Sequence, residues 1–191
     1  MILAIVPAAG RGARFGSTSA TPTKLLASVD GEPMLDRTLG SLIEGGVERV
    51  VVVVGPGGAL EKLTRLGDPR VRVVTNPDPA PGMLSSIQAG WASAEGDPVL
   101  VLPGDMPFVR AQTVRVVIET CRSTGAIVSP RTGGKRGHPV GLPGALRAAV
   151  LAAPPASTLK DVIDAGTLRR VAVDVDDPGV VRDVDVPADL G

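Results

Sequence analysis

Five short runs rich in β-branched residues constrain this chain more than any other feature. They are ILAIV (2–6), RVVVVV (49–54), VRVVT (71–75), PVLVL (98–102) and AIVS (126–129). A strand with one wet face alternates apolar and polar residues. A run without that alternation is what a strand covered on both faces looks like. Patterns of helical period lie between the runs, at 34–45, 58–66, 83–95 and 110–123. Strand and helix in repeated alternation predict parallel βαβ units with right-handed crossovers. After residue 130 the regularity lapses. RTGGKRGHPVGLP reads as a loop leading into a short strand, 144–153 and 158–165 as helices, and RRVAVDV (169–175) and VRDVDV (181–186) as late strands. No internal repeat and no long linker divides the sequence. Residues 1–191 are therefore expected to form one α/β domain, a mostly parallel sheet flanked by helices in a Rossmann-like three-layer sandwich.

Charge and aromatic content exclude some partners. Twenty basic and twenty acidic side chains cancel, so no global field draws the chain to nucleic acid or to a membrane. Two Phe, one Trp and no Tyr leave no stacking platform for single strands. One cysteine, Cys121 in VVIETCRS, excludes an internal disulfide and reads as a buried helical residue. The start of the chain shows no basic n-region or cleavage signature, and the longest apolar run, Val50 to Val54, is too short to span a bilayer. The expected location is cytoplasmic.

In open α/β sheets ligands sit beyond the carboxyl ends of the strands, so the residues just after each run carry the information. VPAAGRGARFGSTSATPTKLL (6–26) comes directly after the first run. It has Gly10 and Gly12 of a dinucleotide fingerprint but Phe15 in place of the third glycine, and no acid ends the second run. It also lacks the Gly-Lys-Ser/Thr of a Walker loop. What remains reads either as a mobile surface loop or, since Arg11, Arg14 and Lys24 concentrate positive charge in it, as a clamp suited to a triphosphate. In VLVLPGDMPFV, Asp105 leaves a buried run between a glycine turn and a proline. It reads either as a turn former or as a ligand of Mg²⁺, which is typically held by one or two carboxylates plus substrate phosphates. Asp183 and Asp185, two apart on an expected strand, offer a partner carboxylate, whereas Asp189 fits the helical turn that starts at Pro187. In NPDPAPGMLSSIQAGW, Asn76 opens a loop and Gly82 delivers the chain into a helix. Ser85 and Ser86 in its first turn suit a nucleoside or anion, or simply start the helix. His138, the only histidine, stands before a proline at a strand start; it reads as a general acid or base or, the expected role, as a structural hydrogen-bonder.

Together these segments resemble the MobA-like nucleotidyltransferases, most closely the molybdenum cofactor cytidylyltransferase branch. The resemblance rests on PAAGRGARFG…KLL, NPDPAPGMLSSIQAG, LPGDMP, RGHPV and DVDVPADL, in that order along nearly the whole chain. It implies a nucleotide-diphospho-sugar transferase-like fold and an opening loop, from Gly10 through Arg11 and Gly12, that wraps the triphosphate. Arg14 and Lys24 would be its cations. Ala8, Ala9 and Gly10 would lie near the base, where A-A-G favours cytidine. Asp105 would carry Mg²⁺ with Asp185, which directly precedes the position of the x-P-x-D-L tail, Asp183 being the reserve. The sequence departs from the family at Pro7, where leucine is usual, and in STSATPT, a longer stretch before Lys24 than the family carries.

The implied reaction moves CMP from CTP onto a phosphate-bearing acceptor, molybdopterin by resemblance, with release of pyrophosphate. A molybdoenzyme would be the recipient of the product. Alternatives of the same class are guanylyl transfer to that cofactor or transfer to a sugar or polyol phosphate. A non-catalytic cofactor-binding chaperone is the alternative of another class. A phosphate monoester is largely dianionic near neutrality, its second pKa being about 6. The reaction therefore needs no catalytic His, Cys or Ser.

Overall fold

The computed structural model describes residues 1–10, 23–57, 60, 63–154 and 156–190. In chain order the strands are β1 (Leu3–Pro7), β2 (Ser28–Val29), β3 (Glu32–Pro33), β4 (Arg49–Val54), β5 (Val71–Thr75), β6 (Val99–Val101), β7 (Ile127–Thr132), β8 (Lys135–Arg136), β9 (Val140–Leu142) and β10 (Arg170–Asp174). The helices are α1 (Met34–Glu44), α2 (Met83–Ser93), α3 (Ala111–Thr124), α4 (Arg147–Ala152) and α5 (Leu159–Ala165). The main sheet runs β10-β7-β9-β6-β1-β4-β5, with β8 hairpinned onto β7, and β2 and β3 form a separate ribbon. β1 pairs in parallel with both β4 and β6, which puts it at the middle of the sheet. β9 enters antiparallel between β6 and β7.

The expected α/β architecture is what the chain adopts, and the unbroken apolar runs explain why. Ala4 and Val6 of β1 face a layer built by α1 and α3, with Val50, Val52, Leu39 and Val114. Leu3 and Ile5 face the other layer, with Val51, Val53 and, from α2 and α4, Ile87, Trp91 and Val150. Adjacent strand residues point to opposite faces, so a strand covered on both sides has no polar position to spare. Burying each such side chain contributes about 1.5–3 kcal/mol, which makes β1 and β4 the centre of the core. Cys121 is buried in α3 as expected, its thiol donating to the Ala126 carbonyl at 3.2 Å, and burial pushes its pKa up to about 11.

Two expected elements fail. The described residues of the helix expected over 58–66 are not α-helical: Leu60 and Leu63 are irregular, and a single 3-10 turn occupies Thr64–Gly67. Two amides near the end of that stretch belong to a neighbour. Buried Asp36 of α1 accepts the N–H groups of Thr64 and Arg65 at 2.9 and 3.1 Å. The late strand over 181–186 is also absent. A 3-10 turn at Pro178–Val181 leads into irregular chain, which crosses the carboxyl edge of the sheet instead of lying beside a strand. Its amides go elsewhere: Val184 donates to the Asp105 carbonyl at 3.0 Å, and Asp185 and Val186 donate to the Asp189 carboxylate. Among the described residues no helix is long and apolar enough to cross a membrane.

Candidate active site

β1 and β6 end side by side, and backbone hydrogen bonds tie the chain leaving β6 to β1. Leu102 donates to the Ile5 carbonyl and Gly104 to the Pro7 carbonyl, at 3.1 and 3.0 Å. Asp105 therefore emerges beside Ala8, at the middle of the sheet's carboxyl edge. The chain returns to this edge at a 3-10 turn, Thr23–Leu26, which carries Lys24. Lys24 is 8% exposed, and its Nζ donates to Asp105 Oδ2 at 2.8 Å and to Asp185 Oδ1 at 2.9 Å. One ammonium thus joins three segments, its two partners lying 81 and 161 positions away in sequence. Burial alone would lower the lysine's pKa, but hydrogen bonds and charge from the two aspartates outweigh it and hold it above the ordinary 10.5.

A cleft of about 300 Å³ opens over this cluster. Ala8, Ala9, Gly10, Lys24 and Asp105 form one wall, and Pro79, Gly82, Met83 and Ser86 form the other. Gly82 adopts φ +127°, a left-handed conformation that side chains disfavour, as the chain turns into α2. Buried Asn76 secures the loop before it: its amide nitrogen donates to Ser85 Oγ at 2.9 Å and Ser86 Oγ at 3.1 Å, and its oxygen accepts the Asp78 amide. Ser85 in turn donates to the Gly82 carbonyl at 2.8 Å.

The residues singled out from the sequence therefore divide. Ala8, Ala9, Gly10, Lys24, Gly82, Ser86 and Asp105 line one cleft. Asn76 and Ser85 stand behind its wall and shape it. Asp185 is reached through Lys24, while Asp183 is exposed. Arg11, Gly12 and Arg14 lie outside the described residues. The same-face argument for Asp183 and Asp185 falls with the missing strand. The tail instead selects Asp185 by a turn in which Asp189 accepts the amides of Asp185 and Val186 at 2.8 and 2.9 Å. His138 makes the structural bond expected of it, with Nδ1 3.2 Å from the Val101 carbonyl.

Sequence reasoning missed the brace that holds the tail in place. Asp177, 2% exposed, accepts the Arg110 amide at 2.9 Å, the Thr113 hydroxyl at 2.6 Å and the Gly179 amide at 3.0 Å. Gly179 packs so closely on the Phe108 carbonyl that a Cβ would overlap it. The Asp-Pro-Gly triplet at 177–179 is a turn signal that pointed to this position.

Two carboxylates converging on one buried ammonium form a pocket of hard oxygen donors around a point already filled by positive charge. Donors of that kind fit Mg²⁺ or Mn²⁺. Among the described residues no third His, Cys, Asp or Glu joins them, so phosphate oxygens and water would complete such a shell.

Comparison with known proteins gives this geometry a family. The MobA-like NTP transferase domain matches residues 4–171. The bifunctional enzyme IspD/IspF of Desulforudis audaxviator is 37% identical over 153 residues, which cover 74% of this chain and 37% of that protein. The CMP-5'-(3-aminopropyl)phosphonate synthase of Streptomyces rubellomurinus is 36% identical over 119 residues, covering 60% of this chain and 19% of that protein. The chain thus spans well under half the length of these curated relatives. Among solved structures, Rv0371c from Mycobacterium tuberculosis H37Rv superposes with a TM-score of 0.77 at 24% identity, over 98% of this chain and 95% of that one. A nucleotidyl transferase from Methanothermobacter thermautotroptrophicus gives 0.77 at 23%, over 99% and 94%. These two likenesses concern the fold. With the family match spanning β1 through the start of β10, the chain belongs to the MobA-like NTP transferase domain family.

Proposed function

We propose that the protein is a metal-dependent nucleotidyltransferase, which moves a nucleoside monophosphate from an NTP to a phosphate-bearing acceptor. The observation that carries this reading is the Lys24 ammonium held between Asp105 and Asp185 on the floor of the cleft. The family match and the nucleotidyl transferases among the relatives support it. A manganese complex of the Rv0371c fold neighbour is in keeping with a divalent ion.

Asp105 and Asp185 are the residues that would hold the metal, with Mg²⁺ the expected ion. Bound there, the ion supplies charge neutralisation on the phosphate oxygens. Lys24 cannot serve both carboxylates and a polyphosphate at full strength. With a cation held by the carboxylates, its ammonium would be the group on the cleft floor that contacts the nucleotide's phosphates. An oxygen of the acceptor phosphate attacks the α-phosphorus and forms the new P–O bond. The bond from the α-phosphorus to the bridging oxygen breaks, and pyrophosphate leaves with that electron pair. Lys24, together with Arg14 and Arg11 of the opening loop, neutralises the departing charge, and the glycines of that loop, Gly10 and Gly12, let backbone approach the phosphates. Ser86 and the helix start at Gly82 orient the nucleoside. Catalysis here is positioning and electrostatics, with no proton to abstract from a phosphate dianion.

CTP is the proposed donor, because Ala8, Ala9 and Gly10 line the cleft where A-A-G favours cytidine in the family resembled. For the acceptor, the sequence resemblance favours molybdopterin, whereas the relatives' names favour the IspD type or, through the bifunctional protein GlmU, a sugar phosphate. Pyrophosphate release with CTP, GTP, ATP and UTP, each against molybdopterin, methylerythritol phosphate and hexose phosphates, separates these readings. Asp105→Ala should lower turnover roughly 10²–10³-fold with its circular dichroism unchanged. Near wild-type turnover in that variant would refute the metal assignment.

A further inference from the structure

The tail that carries Asp185 is closed into a small ring. The N–H groups of Asp185 and Val186 donate to one carboxylate oxygen of Asp189, Oδ2, at 2.8 and 2.9 Å, and the Asp189 N–H returns to the Val186 carbonyl at 2.9 Å. Successive N–H groups converge on one oxygen only where the backbone curls into a concave nest. That curl sets the direction of the Asp185 side chain, whose Oδ1 takes the Lys24 ammonium at 2.9 Å. One residue earlier, Val184 is fully buried and its amide donates to the Asp105 carbonyl at 3.0 Å. The ring therefore hangs from a fixed point beside the other carboxylate.

A second contact joins the ring to the loop after Asp105. The Arg182 guanidinium donates to the Asp189 carbonyl at 2.9 Å and lies over the Phe108 ring, 3.8 Å from its centroid. Phe108 stands three residues beyond Asp105 and packs against the α1–α3 layer of the core. The contacts close a circuit: from Asp105 along its loop to Phe108, across to Arg182, on to Asp189 and Asp185, and through Lys24 back to Asp105. Asp189 does not join the two carboxylates as a third ligand, since among the described residues no three His, Cys, Asp or Glu side chains are grouped to hold a metal ion.

We infer that Asp189 and Arg182 are positioning residues: Asp189 aims Asp185 at the cation site, and Arg182 holds that turn in register with the Asp105 loop. The inference rests on the metal-dependent reading of the cleft and adds the groups that orient its ligand. Asp189 acts here as a hydrogen-bond acceptor rather than as a charge. Partners one bond behind a metal ligand typically carry roughly ten- to hundredfold in metal affinity. A cation–π contact of an exposed arginine is weaker, about two- to fivefold.

Mn²⁺ titration in the presence of CTP, followed by electron paramagnetic resonance, tests this. Asp189→Ala should weaken Mn²⁺ binding roughly tenfold or more, whereas Asp189→Asn, which keeps an oxygen for the two amides, should stay within about threefold of wild type. Arg182→Ala should lose about two- to fivefold. A second readout needs no metal. Lys24 is 8% exposed and should acetylate slowly in wild type; in Asp189→Ala it should label faster, while exposed Lys135 and Lys160 label as before. Wild-type Mn²⁺ affinity in Asp189→Ala or Arg182→Ala, an equal loss in Asp189→Asn, or unchanged Lys24 labelling would overturn the inference. Absence of Mn²⁺ binding by the wild type would instead overturn the metal-dependent reading, and the Lys24 labelling would still decide whether Asp189 aims Asp185.

Discussion

Replacing Asp177 by alanine should unfold the C-terminal brace and, with it, loosen the carboxylate pair. The wild-type side chain is 2% exposed and serves two structures at once. One oxygen takes the Arg110 amide and the Thr113 hydroxyl at the start of α3, and the other takes the Gly179 amide. A net contribution of about 1–1.5 kcal/mol per bond gives roughly 3–5 kcal/mol for the three. The favourable position of a negative charge at a helix N-terminus is included in that range. At this chain length each kcal/mol is about 2–4 °C in melting temperature, so a fall of roughly 6–20 °C is expected by differential scanning calorimetry. Asp177→Asn keeps the shape but turns one acceptor into a donor, and should fall between wild type and alanine. The brace shortly precedes the tail's Val184–Asp105 backbone bond, so the folded variant should also bind Mn²⁺ more weakly. A melting shift below about 2 °C in the alanine variant would refute the account, as would unaltered Mn²⁺ affinity in a variant that did lose stability.

Other expected outcomes concern single positions. Gly90→Ala would bring a Cβ to 2.6 Å from Ile5 Cγ2, where α2 meets β1, and should cost about 1–3 kcal/mol; urea unfolding with an unchanged midpoint would refute that packing. Cys121, with its pKa near 11, should be about one thousandth ionised at pH 8 and react with Ellman's reagent far more slowly than glutathione, reaching free-thiol rates only in denaturant. The raised pKa of Lys24 means that its pairing stabilises the fold fully below 10.5 and is lost as pH climbs through the higher folded value. Unfolding free energy should therefore decline more steeply above pH 10.5 in wild type than in Asp105→Asn/Asp185→Asn, and identical slopes would count against the triad.

Those parts of the protein whose cause is local can be read from the chain alone. Runs of valine and isoleucine without alternation fit the inside of a two-sided sheet, so β1, β4 and β6 were legible from their own residues, as were β7 and most of the helices; β5, expected to be covered on both faces, instead forms the sheet's edge with Val73 42% exposed. Asp105 was legible for a related reason: a charged side chain placed just past a buried strand comes out at the ligand edge, whereas Lys24, 17 residues beyond the end of β1, was legible only as part of a basic loop. Packing between distant segments settled everything that depends on who accepts a backbone amide. Residues 58–66 carry a helical pattern, yet Asp36 on another element takes the amides of Thr64 and Arg65. The tail reads as a strand, yet its amides are claimed by the Asp105 carbonyl and by Asp189. That Asp185 and not Asp183 meets Lys24 is a fact of contact between segments far apart in sequence. Periodicity records what a segment buries; it carries no record of which distant segment will supply the partner.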